Sequence, residues 1–278
     1  MPVFARVDSA DPNAPSQLCT IAAAVRRRDA VMIHRAGLGH IGSDFSVADI
    51  LVVLYFAVMN FRLSDPDRDR LVLSKGHAAG ALYATFAALG VLPDEALNTF
   101  AQPLSPLSGH PANLKVAGVE ASTGPLGHGL PVAVGMALAA KLDGSNRRTF
   151  VVVGDGELEE GSNWEAMMVA AHHQLTNLSV IVDCNGLQQG ATTASTTALA
   201  PLDAKAEAFG FDVTRVDGHD PAALLAAFTR RPADRPTFVI AQTIKGYPVS
   251  FMCGQPAWHH KVPDDAQLAT ILDELGAL

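Results

Sequence analysis

Cysteine is scarce. The 278 residues contain three, Cys19, Cys184 and Cys253, and none belongs to a paired Cys motif. That excludes a disulfide framework and a thiolate zinc site, and it fits a reducing compartment, so a cytoplasmic location is expected. Charge is sparse too: Asp, Glu, Lys and Arg make up 17% of the chain and the net charge is −8. No basic stripe offsets this balance, and the one basic run, Arg26-Arg27-Arg28, reads as a solvated helix face. Nucleic acid is therefore not an expected partner. Met1 to Arg28 carries Asp8 and Asp11 and has no apolar core of signal-peptide type. The apolar stretch Ala78 to Leu92 is broken by Gly80, Tyr83, Thr85 and Gly90 and falls short of the roughly 20 residues of a spanning helix. No membrane segment is expected from it. What the chain has in quantity is apolar side chain, 49% of residues. With the membrane set aside, that excess predicts a large buried interface with another polypeptide in addition to a core.

The pattern along the chain predicts a helix over Ser16 to Ala36 and a second opening at Ser46 as N-cap and running to about Asn60. Asp65 to Asp69 reads as a polar turn before the apolar run Leu71-Val72-Leu73, His77 to Leu89 as a buried helix, Pro103 to Glu120 as a loop, and Gly129 to Leu142 as a small-residue helix. Beyond that point short runs rich in Val, Ile and Phe recur at Thr149 to Val153, Leu178 to Asp183, Phe211 to Val216 and Phe238 to Thr243. Helical patterns separate them, at Trp164 to Gln174, Leu202 to Phe209 and Pro221 to Thr229. Buried strands alternating with helices indicate an α/β fold with a doubly wound, mainly parallel sheet. Neither a repeat nor a low-complexity linker divides the chain, so residues 1–278 are read as one domain with residues 1–20 as a peripheral N-terminal extension. Ligands of such sheets sit beyond the carboxyl ends of the strands, which directs attention to the residues after Val153, Asp183 and Thr243.

The first of these is Gly154-Asp155-Gly156 and the second Asp183-Cys184-Asn185-Gly186-Leu187. Asp155 and Asn185 would emerge side by side from neighbouring strands, and both offer oxygen to a hard divalent cation that bridges phosphates. The glycines permit a tight turn and close approach to a phosphate. The helix after Gly156 would direct its N-terminal N–H groups to the same anion. A Gly-Asp-Gly alone is commonly just a turn. A second oxygen ligand 30 residues on, at the end of the next strand, makes it the spacing typical of thiamine-diphosphate enzymes.

The segment Gly154-Asp155-Gly156-Glu157-Leu158-Glu159-Glu160-Gly161, continuing through Trp164-Glu165-Ala166, closely resembles the cofactor motif of transketolases. Gly39-His40-Ile41-Gly42, Leu73-Ser74-Lys75-Gly76-His77, Gly109-His110-Pro111, Gly118-Val119-Glu120 with Thr123-Gly124-Pro125-Leu126-Gly127, and Thr243-Ile244-Lys245-Gly246 with Trp258-His259 agree with that family in order and spacing. The likeness runs from about residue 20 to the end, yet the chain stops where a full transketolase is less than half complete. It thus resembles the N-terminal, diphosphate-binding subunit of a split transketolase.

The resemblance implies that thiamine diphosphate is bound through Mg²⁺ or Ca²⁺, between which the residues do not choose. Asp155, Asn185 and the carbonyl of Leu187 would be the metal ligands, Gly156 and Asn185 would touch the diphosphate, and Gly124, Pro125 and Leu126 would line the middle of the cofactor. His40, His77, His110 and His259 match family histidines around the reactive carbon, substrate hydroxyls and phosphates; His77 and His259 would also touch the cofactor. Imidazole suits proton transfer at sugar hydroxyls near neutral pH. A C-terminal partner subunit would carry the pyrimidine-binding domain, in a 2+2 heterotetramer acting on sugar phosphates. Glu160 and Glu165 match acidic residues that couple paired active sites, or are simply helix-start carboxylates. Lys245 meets a phosphate or closes a loop. His34, His172, His173 and His219 are left as structural. His128, Cys253 and His260 depart from the family pattern, and the last two border the substrate entrance, so they bear on sugar preference. The rival readings are the α-subunit of a thiamine-dependent 2-oxoacid dehydrogenase or decarboxylase, and a non-catalytic assembly subunit.

Overall fold

A computed structural model describes residues 1–276. Its centre is a five-stranded sheet in the order β1-β2-β3-β5-β4, every pair parallel. The strands are β1 (Arg70–Leu73), β2 (Thr149–Gly154), β3 (Leu178–Cys184), β4 (Asp212–Asp217) and β5 (Thr237–Gln242). The helices are α1 (Ala14–Ala36), α2 (Ile41–Val53), α3 (Ala79–Ala88), α4 (Gly129–Leu142), α5 (Gly161–His172), the short α6 (Thr193–Thr196), α7 (Leu202–Ala208), α8 (Pro221–Thr229) and α9 (Asp265–Glu274).

Alternate strand residues point to opposite faces, and both faces are covered. Leu71, Leu73, Phe150, Val152, Ile181, Val239 and Ala241 join the core formed with α1, α2, α3 and α8. Val72, Val151, Val153, Val180, Val182, Phe238 and Ile240 join a second core formed with α4, α5 and α7. Burial on both sides is why these strands read as continuous apolar runs instead of alternating ones. The doubly wound α/β class expected from the sequence is therefore what the chain adopts, and Leu71-Val72-Leu73 is its edge strand β1.

One local expectation fails. The second helix does not open at Ser46; it starts at Ile41 and passes into a π-helical turn over Leu54–Val58. Ser46 reads as a cap because it is polar, but it is buried, as are Ser43 and Asp44, and its Oγ donates to Ser43 O (3.0 Å) and to Asp183 Oδ2 (2.7 Å). The stretch Ile41–Val58 is also the one described segment with the length and hydropathy (1.8) of a membrane span, not Ala78 to Leu92, and 89% of it is buried within the fold. Residues 1–20, expected as a peripheral extension, are mostly exposed but are tied to the fold: Phe4 N donates to Ala88 O and Val7 N to Phe56 O, both at 2.9 Å. Val7, Ala14 and Leu18 enter the core.

At the carboxyl edge of the sheet, Lys75 from the β1–α3 connection forms an ion pair with Asp183 of β3. Both are essentially without water, 1% and 0% exposed. Asp183 also accepts from Ser46 of α2 and from Thr243 just past β5. Burial works against its charge, but Lys75 and these hydroxyls outweigh that and hold the carboxyl below its ordinary range. Removing one member of such a pair strands the other charge in a low dielectric. Asp183→Ala is accordingly expected to lower the unfolding free energy of the chain by about 3–5 kcal/mol. Urea denaturation checks this; a loss of about 1 kcal/mol or less, the scale of a surface pair, would contradict it.

Candidate active site

The tips of β2 and β3 lie side by side, with Gly154 in register with Asp183. Just beyond them, Asp155 Oδ1 accepts from Gly156 N (3.0 Å) and Oδ2 from Gly186 N (2.6 Å). Gly186 has φ +73, in the left-handed region that glycine enters without strain, and this turn brings its N–H to Asp155. Asn185 Oδ1 accepts from Leu187 N at 3.1 Å. Asp155 is 6% exposed, and burial pushes its carboxyl up to about 6 despite the two N–H donors. A group in that condition gains from a nearby cation, which restores the ionised form.

A cavity of about 320 Å³ opens over these tips. Asp155, Gly156, Asn185 and Leu187 line it, together with His40, His77, His110 and His259 and with Gly124 and Leu126. Pro125 is exposed beside them and is not on the wall. The four imidazoles come from four separate segments and meet around His40. Its ring centroid is 5.3 Å from His77, 6.3 Å from His110 and 5.6 Å from His259, and His77 and His259 are 5.3 Å apart.

Burial first, and then the neighbouring cationic and imidazole groups, hold these rings neutral. His40 is lowered to about 4 and His259 to about 3, and His77 lies well below its ordinary value. His110 is lowered by burial alone. Lys245, 1% exposed, places Nζ 2.9 Å from His259 Nδ1 and is itself lowered to about 8 by burial and by Lys75. It thus braces a cavity histidine and does not simply close a loop.

Sequence reasoning gave no role to Ser43, Lys75, Glu157, Gln188 or Gln189, all of which line the cavity. Lys75 sits inside the Leu-Ser-Lys-Gly-His block and Glu157 directly follows Gly-Asp-Gly, so the signal was present but carried no visible partner. Glu157 accepts from Ser74, from Gly127 N (3.0 Å) and from Gly154 N (3.0 Å), fastening three cavity segments together. The helix expected to follow Gly156 is only a one-turn 3-10 helix, Gly156–Glu159, whose first N–H is already held by Asp155; α5 begins at Gly161. The expected aim of a long helix at an anion is therefore not realised there.

His260, exposed, sets its ring 4.7 Å from His40 at the cavity mouth. Cys253 contacts Gly246 O and, like the exposed His128, is off the cavity wall. His34 binds Pro263 O and His219 joins Asp49 to Ile244 N, both away from the cavity, and His172 pairs with His173. Glu160 and Glu165 are exposed at the start of α5.

The tip residues fit a hard cation with a phosphate. Their donors are a carboxylate, a carboxamide and a carbonyl, all oxygen. Among the described residues no three His, Cys, Asp or Glu side chains gather into a metal cage, so an ion here would need further oxygens from its ligand. A Cβ on Gly156 would stand 2.9 Å from Gln188 Cγ, which leaves bare backbone as what the site accepts at that point.

Comparison with known proteins agrees with this geometry. Residues 19–277 match the family described as transketolase, thiamine diphosphate binding domain. The chain is 45% identical to an apulose-4-phosphate transketolase subunit of Actinobacillus succinogenes, over 91% of this chain and 94% of that one. It is 37% identical to a 6-deoxy-6-sulfo-D-fructose transketolase subunit of a Clostridium species, over 85% and 88%. Against the full-length transketolase of Pongo abelii, identity is 40% over 86% of this chain but 39% of the other. The crystal structure of Campylobacter jejuni transketolase superposes with a TM-score of 0.87 at 31% identity, covering 94% of this chain and 43% of that one. The chain belongs to the transketolase family, to the part of it that binds thiamine diphosphate.

Proposed function

We propose that this chain acts as one domain, the cofactor-holding subunit of a two-chain transketolase that moves a two-carbon ketol unit from a phosphorylated ketose to an aldose. The observation that carries this reading is coverage: the chain spans nearly all of the Actinobacillus relative, itself named as a subunit, and about two-fifths of full-length transketolases. The relatives named for apulose 4-phosphate and 6-deoxy-6-sulfo-D-fructose support an anionic ketose as donor.

Asp155, Asn185 and the Leu187 carbonyl would hold Mg²⁺ or Ca²⁺ against the diphosphate, with the bare backbone of Gly156 beside it. Gly124, Pro125 and Leu126, with His77 and His259, would flank the rest of the cofactor. Thiamine diphosphate, when bound, supplies the electron sink that cleavage beside a ketose carbonyl needs. The chain's own part is positioning and proton handling. His40, His77, His110 and His259, neutral at working pH, can accept a proton from a substrate hydroxyl or donate to a developing alkoxide. His260, whose ring packs against His40, is where sugar preference would be tuned, whereas His128 and Cys253 lie off the cavity wall.

A C-terminal subunit with the pyrimidine-binding domain, in a 2+2 assembly, would close the site. The exposed Leu126 at the cavity, and Val132, Met168 and Val169 on α4 and α5, support an apolar partner surface. A cytoplasmic setting is consistent with three free cysteines.

Co-purified with a C-terminal partner subunit, this chain is expected to transfer a ketol group from a ketose phosphate to an aldose, with neither chain active alone; decarboxylation of a 2-oxoacid in place of transfer would overturn the reading. In the complex, Asp155→Ala should lower kcat/KM by about a hundredfold or more, partly recovered by excess Mg²⁺; undiminished transfer would point to a non-catalytic subunit. The histidines give a pH signature. The unfolded chain protonates them near 6.5, the folded one only near 4 at His40 and 3 at His259. Their contribution to stability is therefore fully present above 6.5 and lost as pH falls toward 4. The urea midpoint of the wild type should fall more steeply than that of His40→Gln between pH 6.5 and 4.5, and equal slopes would contradict a neutral His40.

A further inference from the structure

Behind the histidines, two carboxyl groups lack the partners their burial demands. Asp29 on α1 and Asp44 on the first turn of α2 are each 1% exposed. Among the described residues, both oxygens of Asp29 and Oδ2 of Asp44 have no hydrogen-bond partner. Asp44 Oδ1 is engaged: it accepts from Ala81 N at 2.9 Å. That bond replaces a cap, because α3 starts at Ala79 and its own preceding residue, Ala78, makes no side-chain capping bond. The carboxyls converge on Gly80. A Cβ there would fall on Asp29 Oδ1 and stand 3.0 Å from Asp44 Oδ2, so both oxygens border the space that a side chain at this position would fill.

Two ionised carboxylates cannot persist in that position without compensation. The charged groups that face them are already committed. Arg26, beside Asp29 on α1, binds Asp49 and Phe45 O. Lys75, from the β1–α3 connection, is paired with Asp183. From α2 and α3, only backbone N–H groups of the His40 to Ala81 neighbourhood reach Asp44. One proton answers two of the three unpartnered oxygens, the O–H of Asp29 donating to Asp44 Oδ2; it leaves only a neutral acid's carbonyl oxygen without a partner, and the remaining charge on Asp44 is held by the α3 N-terminus.

We propose that Asp29 and Asp44 share one proton at neutral pH, and that this pair is a positioning device that locks α1 and the first turns of α2 and α3 together beneath His40 and His77. His40 is the residue immediately before α2, and His77 lies in the 3-10 turn immediately before α3. The spacing of their rings, 5.3 Å, follows from how those two helix starts are joined. Burial raises both carboxyls, Asp44 to about 7 and Asp29 well above its ordinary value, in the direction a shared proton requires. Only the consequence for His40 and His77 rests on the transfer reading; the proton itself does not.

The folded chain keeps a proton that the unfolded chain releases near 3.8, so the pair's contribution declines as pH rises above that value. Asp29→Asn supplies an amide donor with no titration. The Tm difference, variant minus wild type, should grow by several degrees, on the order of 3–6 °C, between pH 5 and 8 on the chain alone. A difference that stays constant over this range would overturn the shared proton. Asp44→Asn, which keeps the acceptor for Ala81 N–H, should show the same trend. If neither variant folds, carboxyl ¹³C NMR of the wild type decides: one aspartate with a carboxylic-acid shift at pH 7.5 supports the pair, and none overturns it. For positioning, Asp44→Ala in the complex should lower kcat about tenfold or more with KM little changed, and Asp44→Asn should restore most of it. Equal losses in both variants would overturn the positioning role while leaving the transfer reading intact.

Discussion

The ion pair between Lys75 and Asp183 holds the floor of the cavity. Through Asp183 it joins α2, by Ser46, to the ends of β3 and β5, by Thr243, while Lys75 ties in the β1–α3 connection. Those are the elements that carry Asn185, His40, His77 and Lys245, so their relative placement depends on one desolvated interaction. A buried pair is poor evidence for net stability, since an apolar replacement can do as well, but it is highly sensitive to loss of one partner. What it adds is specificity of arrangement and a fixed charge. Lys75 is among the groups that depress His40, His77 and His259. Scaffold and site are therefore linked: burial does most to keep the nearby imidazoles neutral, and the ammonium that braces the sheet edge adds to it.

The second half of the fold was legible because the strands are short, rich in Val, Ile and Phe, and separated by helical patterns; β2 to β5 fall within a residue or so of their expected limits. The first half was harder. Periodicity cannot show that Ser43, Asp44 and Ser46 are buried inside a helix, since their partners, Asp183 and Ala81, lie far along the chain or across a helix boundary. The same limit applied to the site. Asp155, Asn185 and the four histidines stand in motifs, and each can be found by its local neighbours. Lys75, Asp183, Glu157, Asp29 and Asp44 matter through what they meet in space. A lone Lys or Asp in a sequence gives no indication of burial, and burial is what makes these groups consequential.

Oxygen donors from the tips of β2 and β3 and four imidazoles line one cavity, yet Leu126 beside it and Val132, Met168 and Val169 on α4 and α5 are exposed. An apolar composition of 49% with so few charges is coherent with a chain that buries part of its surface against another. On the proposed reading the labour is divided: this chain would anchor the diphosphate end, flank the middle of the cofactor and handle protons, and a companion subunit would complete the site.

The most direct measurement is a crystal structure of the chain with its companion subunit, thiamine diphosphate and Mg²⁺. The expected result is an ion about 2.0–2.6 Å from Asp155, Asn185 and the Leu187 carbonyl, with diphosphate oxygens completing its shell and the four imidazoles facing the thiazolium end. A diphosphate bound elsewhere, or an ion that bypasses Asp155 and Asn185, would contradict the account at its foundation.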